Sequence, residues 1–174
     1  MSSSRVTEGH VKASPAPPLT LDGVWRAIER GSFAVLSHVT AAGDPRSSGV
    51  MYTAVDRRLY VVTAADSWKA RQIADGDRVA VTIPVRRGGL LSLIAPIPPA
   101  TVSFTARATV HPAGSMQIAE VSPRFAKLLP ADRRDGCVIE LVPVGRFVTY
   151  GLGVSLTDMR NPATSMARVP VGEP

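Results

Sequence analysis

The stretch Thr63-Ala64-Ala65-Asp66-Ser67-Trp68-Lys69-Ala70-Arg71 gathers the side chains best suited to chemistry in this chain. A β-type run, Leu59 to Thr63, ends there. A helical pattern from about Trp68 to Ala74 follows, with Asp66 or Ser67 as its cap and Asp75-Gly76 as its stop. The first turn of a helix leaves N–H donors free and carries partial positive charge. A phosphate or carboxylate suits that position, with Thr63 and Ser67 donating and Lys69 and Arg71 neutralising. The same pattern also suits an ordinary capped helix with a solvated basic face. The residues alone leave both readings open.

Other chemistries find little support. There is no Walker-type phosphate loop, no GxGxxG after a strand and no GxSxG elbow. His10, His38 and His111 stand far apart, and no carboxylates can be placed beside them, so no metal site is expected. His38 reads as a strand residue at a rim and His111 as a strand-end residue. Cys137 is the only cysteine. It excludes an internal disulfide and reads as a small core residue rather than a nucleophile.

The chain has 174 residues, 45% of them hydrophobic, which suits one domain with tails and rules out wholesale disorder. The formal net charge is +6. The basic pairs Arg57-Arg58, Arg86-Arg87 and Arg133-Arg134 are scattered, and aromatics make up only 5%. That is a poor nucleic-acid footprint, so no nucleic-acid partner is expected. No run reaches the ~18 apolar residues of a membrane span. The most apolar stretch, Leu90 to Ala100, is broken by Pro96, Pro98 and Pro99. Residues 1–18 are rich in Ser, Ala and Pro without an apolar segment. They do not read as a secretory signal, and a cytoplasmic location is the default expectation.

The elements that must position the Thr63–Arg71 segment follow from periodicity. Residues 1–19 read as a disordered arm, 20–156 as the folded domain and 157–174 as an irregular tail. Thr20 caps a helix carrying Leu21, Val24, Trp25 and Ile28, which Gly31 is expected to end in the left-handed conformation. The period then switches to two. Phe33 to Val39, Ser47 to Val55 and Leu59 to Thr63 form an antiparallel meander through turns at Ala42-Gly43-Asp44-Pro45 and Asp56-Arg57-Arg58. Arg78 to Val85 is a further strand, and residues 86–100 form a long apolar loop. Thr101 to Val110 alternates cleanly. A helical stretch spans about Met116 to Leu129, with Ser122-Pro123 as an internal start. Cys137 to Val142 and Arg146 to Leu156 read as the last strands. A mainly β, six- to seven-stranded antiparallel barrel with short helices fits this order, because closure removes exposed edges.

The ordered set Phe33-Ala-Val-Leu-Ser-His-Val, Ala-Gly-Asp-Pro-Arg-Ser-Ser-Gly-Val-Met-Tyr, Leu-Tyr-Val-Val-Thr-Ala-Ala-Asp-Ser-Trp-Lys-Ala-Arg and Arg78-Val-Ala-Val-Thr-Ile resembles the pyridoxamine 5′-phosphate oxidase-like family. These are split β-barrels that bind FMN or deazaflavins. The resemblance runs from about Trp25 to Val85 and more weakly to Leu156.

It implies a homodimer with the cofactor in a groove between subunits. Ser48, Gly49, Val50, Met51, Tyr52 and Thr53 would run beside the ring and ribityl chain, with Val62 and Thr63 beneath. Ser67, Trp68 and Lys69 fall where the family places a phosphate-binding Ser-Arg-Lys. True pyridoxamine phosphate oxidases have Arg, Lys and Arg where this chain has Ser48, Thr53 and Trp68. Arg46 and Arg71 are candidates to compensate. The family's C-terminal strand with Arg and His is replaced by Arg146-Phe-Val-Thr-Tyr-Gly-Leu-Gly-Val, so vitamin B6 oxidation is not expected. Trp68 either stacks on a planar ligand or packs on the barrel. The 86–100 loop reads as a lid, as part of the dimer contact or as a membrane-surface contact, with lid or dimer burial favoured since large apolar patches are unusual on monomers. The expected activity is FMN- or deazaflavin-dependent hydride transfer to or from a small molecule. The alternative is a non-catalytic cofactor carrier, store or sensor.

Overall fold

The computed structural model describes residues 18–73, 77–87, 98–130, 136–155 and 158–172. Most of the expected arm, residues 74–76 of the second helix and most of the 86–100 loop lie outside these residues.

Helix α1 (Leu21–Glu29) starts at Thr20, whose hydroxyl accepts from Gly23 N–H at 3.2 Å. Gly31 follows, but not in the left-handed region as expected. It is required for another reason: a Cβ there would meet the Tyr52 hydroxyl at 2.5 Å. That hydroxyl donates to the Ile28 carbonyl and ties the helix to the sheet.

Strands β1 (Phe33–Val39), β2 (Pro45–Val55) and β3 (Arg58–Thr63) form the expected meander. The β2–β3 turn is Asp56-Arg57, both at positive φ, which matches the twist of a tight hairpin. Then come α2 (Trp68–Gln72), β4 (Arg78–Val85) and β5 (Ala100–His111). The expected helix at 116–129 is two short ones, α3 (Ile118–Val121) and α4 (Pro123–Leu128). Ser122 separates them and caps the second by accepting from Phe125 N–H.

Two expectations near the C-terminus are corrected. The last two strands are a single strand, β6 (Cys137–Tyr150), which passes through Gly145 at φ 77°. The tail is not irregular. It makes a 3-10 turn (Asp158–Arg160), α5 (Pro162–Ser165) and β7 (Met166–Pro170). The physical reason is the length of β6. Residues 137–141 pair with β3, and residues 146–150 pair with β7 along the same edge. A register shift at Ser103/Thr105 in β5 bends the strand pair between these partners.

The strand order is β3-β2-β1-β4-β5-β6, closed by β3–β6, with β7 added on β6. All pairings are antiparallel. This is a six-stranded barrel with one extra strand. Its interior holds Leu36, Leu59, Val61, Val81, Ile83, Ile139 and Leu141. Trp25 of α1 meets Phe147 edge-on at 5.6 Å, so α1 closes the end of the barrel near Tyr52. No helix among the described residues is long and apolar enough to cross a membrane.

Candidate functional site

At the other end of the barrel, β3 runs into the start of α2. Thr63 is buried, level with Cys137 of β6. Its hydroxyl donates to Ser67 Oγ at 2.9 Å. Ser67 Oγ also accepts from Ala70 N–H at 3.2 Å, as a cap does. Both bonds use acceptor capacity, so the Ser67 proton remains to be donated. Trp68 lays its indole on the imidazole of His38, with centroids 4.9 Å apart and planes 14° from parallel. One face of the indole is therefore packed on the barrel, as one of its two expected readings had it. Lys69 Nζ lies 5.0 Å from the same indole centroid, within cation–π range. His38 is only 6% exposed and is a buried residue beneath Trp68, not one at an open rim.

The remaining expected site residues divide by the pleat of β2. Val50 and Tyr52 point into the core. Burial pushes the Tyr52 phenol well above its ordinary range. Ser48, on the same side, has a buried hydroxyl without a partner among the described residues. Gly49, Met51 and Thr53 alternate with them and face outward. The Phe33 ring lies on Gly49: a Cβ there would meet it at 2.8 Å. Thr53 reaches Ser122 Oγ at 3.3 Å. Val62 packs in a second apolar cluster with Ile118, Phe125 and Leu129. Arg46 is exposed on β2, level with His38. Arg71 is exposed on α2. The structure thus brings Thr63, Ser67, Trp68 and Lys69 together, while Val50, Tyr52, Thr53 and Val62 serve the barrel and its helices.

The outer face of the sheet carries a row that sequence reasoning did not assemble. Phe33 is level with Met51, Thr101 with Tyr150, and Tyr150 with Met166. Exposures are 48% for Phe33, 45% for Met51, 38% for Tyr150 and 49% for Met166. Alongside runs a row of small polar groups, including Thr82 and Ser103, hydroxyl to hydroxyl at 3.1 Å. The alternation of β1 already sets Phe33 opposite in sense to Leu36. Met166 carried no such signal, because β7 has no clear periodicity.

One charged cluster was also missed. Glu140 of β6 accepts from Arg58 at 2.5 Å and meets His111 Nε2 at 2.9 Å. Burial pushes the Glu140 carboxyl up, but the hydrogen bonds from His111 and Arg58, with their charges, outweigh it and hold it below its usual range.

With this geometry in view, the likenesses to known proteins concern the fold. The chain is similar to general stress protein 26 from Bacillus anthracis str. Sterne at a TM-score of 0.54 and 18% identity, over 74% of this chain and 92% of that one. It is similar to HutZ, the heme storage protein from Vibrio cholerae, at 0.57 and 17%, over 79% and 98%. It is similar to an F420 reductase at 0.51 and 18%, over 70% and 93%. No protein-family model matches the chain. No curated protein matches it either. Its structural neighbours are split barrels of the pyridoxamine 5′-phosphate oxidase-like kind, the fold that the sequence resemblance implied.

Proposed function

We propose that this split barrel binds FMN or a deazaflavin coenzyme between two copies of the chain and serves as an oxidoreductase on a small molecule. The observation that carries the reading is the Thr63–Ser67 pair at one barrel end, with the Ser67 proton left to donate and the Lys69 ammonium over the adjacent Trp68 indole. The buried, unpartnered Ser48 hydroxyl on the neighbouring strand suits the same purpose. This donor set fits a phosphate-bearing tail. Lys69 supplies charge, Ser67 a directed hydrogen bond, and Trp68 a wall where the family resemblance implies an arginine. That exchange loses a bidentate grip, since only a guanidinium donates paired bonds to one oxyanion.

The exposed row of Phe33, Met51, Tyr150 and Met166 supports the seam between copies. When bound, such a cofactor supplies hydride transfer itself, so the chain needs no catalytic dyad. Its residues hold the anionic tail, present the β2 backbone to the ring and exclude water. A second reading is a non-catalytic carrier or store. It is favoured by the likeness to a protein described as storing heme.

The test is titration of the purified protein with FMN, the deazaflavin coenzyme and heme. One of the first two should bind. Lys69→Ala should weaken that binding tenfold to a hundredfold, by ~1.5–3 kcal/mol for a charge-assisted bond. An unchanged dissociation constant would contradict the site. Turnover of the reduced cofactor with oxidised acceptors separates the two readings: a bound but silent cofactor favours storage.

A further inference from the structure

The outer face of the sheet carries two like charges side by side. Val79 of β4 and Ala106 and Ala108 of β5 point into the core. Arg78, Ala80, Thr105 and Arg107 alternate with them and stand exposed on the opposite face. Arg78 is level with Arg107. Ala108 N–H donates to the Asp77 carbonyl at 2.9 Å. That makes Asp77–Ala108 the hydrogen-bonded rung and Arg78–Arg107 the closer, non-hydrogen-bonded one, with Cα atoms about 4.5 Å apart. Like charges directly opposite each other destabilise a sheet. Neither guanidinium has a carboxylate partner among the described residues. Glu140, level with Thr109 on the same face, is already engaged by Arg58 and His111.

The next outward row is polar and small. Ser47, Ser37, Ala80 and Thr105 are level across β2, β1, β4 and β5. Leu36 and Val50 point into the core, so Ser37 and Ser47 share the outward face with the arginines. The two serine hydroxyls meet at 2.6 Å. One donates to the other, and the second keeps a proton to give. A cleft of about 410 Å³ runs along this row, with Ser37, Ser47, Ala80, Thr105 and Arg78 among its walls. That volume suits a small organic molecule. Thr63, Ser67 and Lys69 do not line it.

We propose that Arg78 and Arg107 hold the phosphate group of a small molecule on the outer sheet face, with Thr105 as a hydroxyl donor and the rest of the molecule over Ala80 and the serine pair. A dianion between the two guanidiniums turns their repulsion into attraction. Each guanidinium donates paired bonds to an oxyanion. One such fork already saturates a planar carboxylate, whereas two forks and a hydroxyl suit the three terminal oxygens of a phosphate. This goes beyond the cofactor reading, because none of these residues belongs to the seat proposed for the cofactor's tail.

The test titrates the full ¹⁵N-labelled chain with inorganic phosphate and follows the arginine Nε–H resonances. Saturable shifts of the Arg78 and Arg107 signals are expected, with none from acetate at equal ionic strength. Arg107 is exposed, so Arg107→Ala should keep the fold. It should weaken phosphate roughly tenfold or more, as the loss of a charge-assisted bond does. Because the proposed cofactor seat also takes a phosphate, the titration is repeated in Lys69→Ala, where both arginine signals should still shift. Arg107→Ala should bind FMN or the deazaflavin coenzyme as the parent does. The two sites can therefore fail separately, and the phosphate probe stands even where neither cofactor binds. No saturable shift, an equal shift with acetate, equal phosphate binding by Arg107→Ala, or loss of the shifts in Lys69→Ala overturns the proposal. Weaker cofactor binding by Arg107→Ala overturns it as well, because the pair would then belong to the cofactor's own seat.

Discussion

The outer surface of the barrel differs between its two sides. On the β3–β6 side, Tyr60, Val62 and Val138 are covered by Ile118, Phe125 and Leu129 of the α3–α4 segment. On the β2-β1-β4-β5 side and its extension to β7, comparable apolar side chains stand exposed. Strands β2 and β6 contribute to both. The pleat has the same two-residue period throughout, so local sequence does not distinguish a residue meant for a helix of its own chain from one meant for something else. What distinguishes them is whether the chain returns to cover the face. Among the described residues it returns over Val62 and does not return over Phe33.

The largest effect should come from breaking the covered side. Phe125→Ala removes a buried ring from the second cluster and should cost ~3 kcal/mol, read as a lower denaturation midpoint with little change in its slope. On the bare side, Phe33→Glu with Met51→Glu should leave the dilute fold within ~0.5 kcal/mol of the parent. The same pair should lower the solution mass from that of two copies to one in sedimentation. A stability loss like that of Phe125→Ala would mean that the bare row is covered within one chain after all.

Smaller effects sharpen the ends of the comparison. Ser67→Ala deletes the α2 cap and leaves the Thr63 hydroxyl without its acceptor, a loss of ~1 kcal/mol by chemical denaturation. At the rim of the covered side, Glu140 is held below the usual carboxylate range in the folded state. A depressed carboxyl contributes stability that is present above its unfolded pKa and lost as pH falls through the folded one. Glu140→Gln should therefore flatten the acid side of the stability profile and lower stability near neutral pH. Equal acid slopes in the two proteins would remove the Arg58–Glu140–His111 cluster from the account.

Much of this was legible in the sequence. Alternation marked β1 to β5 closely, and Thr20 and Ser122 announced their helices. Gly31 shows a limit: a glycine after a helix suggests a left-handed stop, whereas here it makes room for the Tyr52 hydroxyl. β6 and β7 show another. Cys137 to Val142 and Arg146 onward read as two strands because one strand's change of partner is invisible until the partners are known. At the candidate site, the nearness of Thr63 to Ser67 was readable because both are local to one turn. The Trp68–His38 stack was not, since it depends on β1 and α2 meeting across the barrel end.

The most direct measurement is cofactor affinity against oligomeric mass for the parent and for the Phe33→Glu, Met51→Glu pair. If the groove lies between copies, cofactor binding should fall in step with dissociation, and raising the protein concentration should restore both together. A monomeric variant that binds FMN or the deazaflavin coenzyme as tightly as the parent would contradict the account.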